Sequence, residues 1–370
     1  MSTKRKIAFV GNDAVSMMNF RLGVMKALSQ DYEVVMVTPQ NCDLSPLNDT
    51  SIRYIPIHVE RKGKNPMHDY RLYRTLKELY RRERFDCIFH FTIKPNIYGS
   101  LAASSLGIHH INVIPGLGYT FIKRNWLFHL SCALYKYALR KTDEVWFLNH
   151  DDSDTFLRWQ LVSPRQARVS PGEGINTEFF HAAKAPELPF VFLYCGRMLR
   201  SKGVELFVQA ARVLKHDYPD VRWQLLGPFD ADNPDAIGPM EMEEWVRSGV
   251  VEYLGVTTDV RPFLERCSCL ILPSYYMEGV PRSLMEAAAM ERPLIASNTV
   301  GCKDVVVDGV NGLLCEKKSL DSLVQAMRRM IEMPREQLVA MGKAGRERMI
   351  AHFDERIIID IYKKALNAYA

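Results

Sequence analysis

Twice along this chain, short apolar runs alternate with stretches of helical periodicity, and that rhythm constrains the fold more than any other feature. KIAFVG, a helix around Phe20 to Gln30 and YEVVMVTP form a βαβ unit at the start. FDCIFHF, HHINVIPG and DEVWFLN continue the strands, with helices expected at 69–84 and 95–106. Strands that alternate with helices in this way imply a parallel sheet covered by helices on both faces. The pattern weakens in VSPGEGINTEFFHAAKAPEL (169–188), rich in Gly, Pro and Ala, which reads as a linker. It then restarts with FVFLYCG, VRWQLLG, VVEYLG, CLILPS, PLIAS and NGLLC, and helices are expected near 204–216, 260–267, 281–290 and 320–333. From Arg335 to Ala370 the chain reads as helical throughout.

A length of 370 residues fits two core-bearing domains. The division expected is an N-terminal domain over 1–180, a C-terminal domain over 186–351, and a last helix over 352–370 returning to the first domain. The fold class is therefore α/β, with two Rossmann-like doubly wound domains facing across a cleft. Ligands of such sheets bind beyond the carboxyl ends of the strands, so the loops after the strands are where chemistry is sought.

Composition excludes several classes. With 47% hydrophobic and 25% charged residues the chain is neither disordered nor of low complexity. Its eight cysteines are scattered singly, without C-x-x-C pairs, and Cys87 and Cys195 sit inside apolar runs, which suits a reducing compartment. MSTKRKIAFVGN lacks the long apolar stretch of a secretion signal. No window approaches the roughly eighteen apolar residues of a membrane span, so a soluble or peripherally bound protein is expected. His109, His110, His129 and His150 show no metal-ligand spacing.

Charge is uneven. Residues 1–185 carry 25 Lys and Arg against 17 Asp and Glu, whereas the remainder carries 23 against 26. The run from Arg61 to Arg84 alone holds nine basic and three acidic residues. It reads either as a solvated helix face or as a surface for anions such as phospholipid or nucleic acid. The segment from Tyr119 to Lys141 adds five cations, no acid and several aromatics, so either a buried helix or an interfacial one fits it. No nucleic-acid-binding motif accompanies these charges.

Two loops carry the chemistry. After FVFLYC comes Gly196-Arg197-Met198-Leu199-Arg200-Ser201-Lys202-Gly203, a strand-to-helix turn with glycines and cations that suits a diphosphate. After CLILPS comes a loop containing Glu278, Gly279, Val280, Pro281, Arg282, Ser283, Leu284 and Glu286. Pro281 suits the first turn of a helix, which leaves the amides of Arg282, Ser283 and Leu284 open to a phosphate. Glu278 and Glu286 are placed to accept hydrogen bonds from hydroxyls of one bound molecule. Asp230-Ala231-Asp232 has the form of a metal-binding D-x-D, but in the turn-rich GPFDADNPDAIGP it reads first as a loop or sugar contact.

Together, G-R-x(4)-K-G and E-G-x-P-x(4)-E, about eighty residues apart, resemble the nucleotide-sugar site of retaining glycosyltransferases of family four, with the GT-B architecture. PLIASNTVGCKDVVVDGVNGLLC extends the resemblance across the second half, with Asp304 where the family often has glutamate. The resemblance implies that Arg197 and Lys202 neutralise the donor diphosphate, Glu286 binds the ribose and Glu278 contacts the transferred sugar; Arg197, Lys202 and Glu278 are the catalytic candidates. It also implies transfer without a metal cofactor, the cations and helix N-terminus supplying the positive charge.

NFRLGVMKALSQDYEVVMVTPQ, FHFTIKPNIYGSLAA and INVIPGLGYTF resemble the acceptor domain of bacterial enzymes that add an N-acetylhexosamine to polyprenyl-diphosphate-linked saccharides. Lys94, Asn96, Gly116, Gly118 and Tyr119 are the acceptor-binding candidates on that basis. Ile114-Pro115-Gly116 stands where many relatives have a histidine or acid, so no catalytic base is assigned. The implied partners are a UDP-N-acetylhexosamine donor, the lipid-linked acceptor and an anionic membrane surface, on the cytoplasmic face of the inner membrane. Alternatives are a nucleotide-sugar epimerase of related fold and a capsule or exopolysaccharide hexosyltransferase. A dehydrogenase is disfavoured because Val10-Gly11-Asn12-Asp13-Ala14 lacks the glycine triplet of a dinucleotide site.

Overall fold

The computed structural model describes residues 4–60, 65–117, 126–187, 189–231, 233–276 and 278–369. The chain divides into two compact units, one running to Gly174 and resuming at Glu355, the other spanning Ile175–Asp354.

The first unit is a seven-stranded sheet of β1 (Lys6–Val10), β2 (Glu33–Thr38), β3 (Arg53–Pro56), β4 (Cys87–Phe91), β5 (His109–Ile114), β6 (Glu144–Phe147) and β7 (Ala167–Val169), in the order β3-β2-β1-β4-β5-β6-β7. Every pairing is parallel; Val10, for example, stands opposite Val37 on one side and His90 on the other. Both faces of the central strands are covered, which is why their sequences read as unbroken apolar runs and not as alternating ones. Helix Ala14–Leu28 starts where Asp13, in extended backbone, accepts the amide of Ser16 at 3.2 Å. The final helix, Glu355–Ala368, belongs to this unit: the Tyr362 ring lies 4.7 Å from Phe89 and 5.6 Å from Phe9. Arg5 ties that helix down by donating to the carbonyls of Leu366 and Tyr369.

The second unit repeats the plan with β8 (Val191–Cys195), β9 (Arg222–Leu226), β10 (Glu252–Tyr253), β11 (Cys269–Leu272), β12 (Leu294–Ser297) and β13 (Gly312–Cys315), ordered β10-β9-β8-β11-β12-β13 and parallel throughout. Phe192 stacks on Trp223 at 5.1 Å to form the core beneath helix Val204–Leu214. Arg292 is buried here, and its guanidinium donates to the carbonyls of Met290, Cys267, Ala183 and Lys184.

Several details depart from the sequence reading, among them the unexpected helices Pro239–Arg247 and Cys302–Val305. β3 and β7 were not expected, because RYIP and ARV are short edge strands exposed to water and lack an apolar run. The stretch expected as one helix over 95–106 opens with a π-helical turn, Pro95–Gly99, before the α-helix Ser100–Leu106. The C-terminal helical stretch breaks at Asp354, whose extended backbone (φ −62°, ψ 139°) separates helix Arg335–Arg348 and its π-helical end from helix Glu355–Ala368.

Candidate functional site

In the second sheet the strand order reverses at β8, which has β9 on one side and β11 on the other. The connections leaving β8 and β11 therefore diverge to opposite faces, and a crevice opens between their carboxyl ends. The two loops singled out in the sequence are those that follow β8 and β11. They are bonded to each other: the carbonyl of Ser201 accepts the amides of Tyr275 at 2.9 Å and Tyr276 at 3.0 Å. Gly203 makes the approach possible, since its φ of 81° is left-handed and a Cβ there would overlap the carbonyl oxygen of Pro273. Gly301 plays the same part for the loop after β12, where a Cβ would strike the carbonyl of Gly279.

Lys202 and Glu278, about eighty residues apart in sequence, form an ion pair with the Lys202 Nζ 2.6 Å from Oε1 and 2.7 Å from Oε2. Both are largely buried, at 16% and 8% side-chain exposure. The Ser274 hydroxyl donates to Glu278 Oε1 at 2.8 Å, and the Tyr276 ring lies 5.5 Å from the ammonium. Arg197 is 47% exposed and bonded to Asp230 at 2.8 Å. Asp230 of the D-x-D thus holds an arginine; Asp232 lies outside the described residues. Arg200 is engaged on both sides, by Glu205 and Glu241, each at 2.7 Å.

Pro281 stands one residue earlier than expected, as the cap of helix Arg282–Ala289 and not its first residue. The amides of Arg282, Ser283 and Leu284 occupy the first turn, where no intrahelical carbonyl is available. Glu278, paired with Lys202, and the buried Val280 stand in the short segment that leads into this helix N-terminus. Glu286 is buried one turn inside the helix and accepts from the Arg282 Nε at 2.7 Å. Burial raises its carboxyl above the ordinary range, and Arg282 offsets this only in part. The Asp304 carboxylate turns back to accept the amide of Gly301 at 3.2 Å, so this residue shapes the loop beside Gly279. No group of three or more His, Cys, Asp or Glu arranged to hold a metal occurs among the described residues.

Of the acceptor candidates in the first unit, Lys94 follows β4 at that sheet's own reversal point and pairs with Asp69 at 2.8 Å. Asn96 is completely buried, and its amide donates to the carbonyl of Val113 at 3.0 Å, a strut between the π-helical turn and β5. Gly116 lies just past β5, half-buried. Gly118 and Tyr119 lie outside the described residues, as does most of the first part of the 119–141 segment.

Sequence reasoning missed Asp235, Ser274 and Tyr98, which hold the amide of Ser201 (2.8 Å), Glu278 and Asp69 in place. A lone Asp in a turn or a Ser after a strand carries no pattern that would flag it. It also missed the fully buried His90, bonded to the Tyr80 hydroxyl at 3.0 Å and to Asn112 at 3.1 Å, whose burial pushes it down to about 3 and keeps it neutral.

Two Rossmann-like domains, the second gathering Lys202 and Glu278 at its strand reversal, define the class of doubly wound α/β proteins that take ligands at that crevice. Residues 189–333 match the family described as "Glycosyl transferases group 1", and residues 6–149 match "Glycosyl transferase 4-like". The chain belongs to the GT-B glycosyltransferases of group 1. Among curated relatives it is 26% identical, over 97% of each chain, to the N,N'-diacetylbacillosaminyl-diphospho-undecaprenol alpha-1,3-N-acetylgalactosaminyltransferase of Campylobacter jejuni. It is 23% identical, over 89% of each, to the UDP-Gal:alpha-D-GlcNAc-diphosphoundecaprenol alpha-1,3-galactosyltransferase of Escherichia coli. A glycosyltransferase from Rickettsia africae superposes with a TM-score of 0.83 at 16% identity, covering 99% of this chain and 98% of that one. The Anabaena protein HepE, solved with UDP and glucose, superposes with a TM-score of 0.78 at 15% identity, covering 98% and 99%.

Proposed function

We propose that this glycosyltransferase moves an N-acetylhexosamine, with retention of anomeric configuration, from a UDP-sugar to a polyprenyl-diphosphate-linked saccharide, working peripherally at the cytoplasmic face of the inner membrane. The observation that carries the donor half of this reading is the junction of the two loops, which brings Lys202 and Glu278 together in the segment that leads into the N-terminus of helix Arg282–Ala289. The acceptor half is supported by the named substrates of the Campylobacter and Escherichia relatives. The N-acetylhexosamine follows the former and the UDP donor the latter. No helix among the described residues is long and apolar enough to cross a membrane.

In this reading the diphosphate lies against the first-turn amides, with Arg197 and Lys202 opposing its charge. An ammonium has three donors, so Lys202 keeps Glu278 and still bonds a phosphate oxygen. Glu278, held by Lys202 and Ser274, accepts from a hydroxyl of the transferred sugar, and Glu286 from the ribose. As the bond between the anomeric carbon and the phosphate oxygen breaks, charge grows on the diphosphate beside those cations and amides, where it is stabilised most. The acceptor hydroxyl attacks from the same face and its proton passes to the departing phosphate, which makes a separate base unnecessary.

A panel of nucleotide sugars offered with a short polyprenyl-diphosphate sugar, read by mass spectrometry, tests the proposal. Transfer from a UDP-N-acetylhexosamine is expected; turnover of UDP-sugar without acceptor would identify an epimerase instead. Because the positive charge is supplied by side chains and amides, EDTA is expected to leave initial rates unchanged. Loss of activity on chelation, restored by Mg²⁺ or Mn²⁺, would overturn the metal-independent mechanism.

A further inference from the structure

A cavity of about 1040 Å³ opens in the first unit between helix Pro66–Glu83, the helical segment 95–106 and helix Trp126–Ala138. Its walls are mainly apolar, with Tyr73, Tyr98, Leu101 and Leu134 inside and Tyr70, Leu130 and Tyr137 at the exposed margin. Tyr70 and Tyr137 are 56% and 64% exposed, an arrangement that water does not favour and an apolar ligand does. A second pocket, of about 400 Å³, is polar, lined by His58, Glu60, His68, Arg71 and Thr75. The two share Asp69 and Lys94, so this ion pair stands at their junction.

The junction is built to leave the cation available. Asp69 is taken up on both oxygens, by Lys94 at 2.8 Å and by the Tyr98 hydroxyl at 2.8 Å. Lys94 spends one of its three donors on that bond. Around the two pockets, Lys94, Arg71, Arg140 and Lys141 stand against the carboxylates of Asp69 and Glu60, a surplus of positive charge. Apolar cavity, cation and polar pocket in series match a ligand with a hydrocarbon chain, an anionic link and a hydroxylated head.

We propose that the apolar cavity takes the first isoprene units of the acceptor's polyprenyl chain, with the diphosphate at Lys94 and the adjoining sugars in the polar pocket. The proposal rests on the lipid-linked acceptor proposed above. It adds that the enzyme grips the chain itself and not only the head. The cavity volume is of the order that encloses a drug-sized ligand, which is enough for a few isoprene units and not for a whole polyprenyl chain.

Equilibrium binding of radiolabelled farnesyl diphosphate to the full chain tests this without donor or turnover. Farnesyl diphosphate is expected to bind at least tenfold more tightly than inorganic diphosphate. Leu101→Trp, and Ser105→Trp at the exposed rim where the fold is not at stake, should each weaken it tenfold or more while leaving inorganic diphosphate and UDP binding unchanged. Equal affinity for farnesyl and inorganic diphosphate overturns the proposal. So does wild-type affinity in both folded variants, or displacement by lysophosphatidylglycerol as effective as by unlabelled farnesyl diphosphate, which would make the cavity a general bilayer-lipid site. UDP binding in the same preparation reports on the donor site separately, so failure there counts against the donor reading and not against the chain-binding cavity.

Discussion

Lys202 ties the fold to the proposed chemistry. It was read from the sequence as a cation for a diphosphate, yet it also neutralises Glu278, which is buried and otherwise held by Ser274. Lys202→Ala is therefore expected to lower kcat/KM by roughly tenfold to more than a hundredfold, the value of a charge-assisted hydrogen bond. It should also cost about 1–3 kcal/mol of stability by leaving a buried acceptor short of a partner. Arg197→Ala, at an exposed position, should lose activity on the same scale with no change in melting temperature. Activity assays and thermal melts on both variants separate these effects; near-normal turnover in both would overturn the donor assignment. Glu286 makes a different prediction. Its carboxyl is raised by burial, so the folded state resists ionisation, and stability is lost as pH rises from the ordinary carboxylate range through the raised value. Glu286→Gln removes that loss: its melting temperature should match the wild type near pH 4, exceed it at pH 7 to 8, and be accompanied by a higher donor KM. A stability gap independent of pH would show that the carboxyl is not perturbed. The residue types and spacing of these side chains were legible in the sequence. Their pairing was not, because a Lys–Glu contact across about eighty residues exists only once the loops after β8 and β11 meet.

At the scale of elements, the interior strands were readable because both faces are buried, so each is a continuous apolar run. Two edge strands were unreadable for a related reason: β3 and β7 are only four and three residues long, bury none of their side chains fully and carry no periodic signal, whereas the edges of the second sheet, β10 and β13, lie in apolar runs and were legible. The breaks in the helices were hidden too, since the π-helical turns at Pro95–Gly99 and Met349–Phe353 keep helix-forming sequence while shifting the hydrogen bonds. Gly203 is where one element's geometry decides the site. Its left-handed backbone ends the turn Arg200–Lys202, starts helix Val204–Leu214 and leaves room for the carbonyl of Pro273. Gly203→Ala adds a methyl group into that carbonyl at a φ that costs an L-residue about 1–2 kcal/mol before any clash. The expected result is separation of the two loops, seen as loss of UDP binding by calorimetry together with a lowered melting temperature. Wild-type UDP affinity in this variant would mean that the loop junction does not build the donor crevice.

The uneven charge of the whole chain becomes specific in the structure. On helix Pro66–Glu83, Leu72, Leu76, Leu79 and Tyr80 turn into the core, while Tyr70, Arg74, Lys77 and Arg81 fall at intervals of three and four residues along one outer stripe. The sequence left open whether these cations were a solvated face or an anion-binding one; the helix is amphipathic in either case, so burial alone does not decide it. Neighbouring exposure does favour a surface: Met67 and Tyr70 on this helix, and Leu130 and Tyr137 on helix Trp126–Ala138, offer apolar side chains beside the cations. Lys123 and Arg124, two of the five cations of the 119–141 segment, lie outside the described residues. Anionic vesicles are expected to capture the protein at low salt and release it near 1 M, where the screening length falls from about 10 Å to about 3 Å. Each cation near such a surface contributes about 1 kcal/mol, so removing two, as in Arg74→Glu with Arg81→Glu, should weaken vesicle binding by roughly thirtyfold or more. Farnesyl diphosphate binding, which depends on the cavity and Lys94, should survive that double substitution. Capture by neutral vesicles equal to that by anionic ones, or retained capture in the doubly reversed variant, would show that the basic stripe is only a solvated helix face.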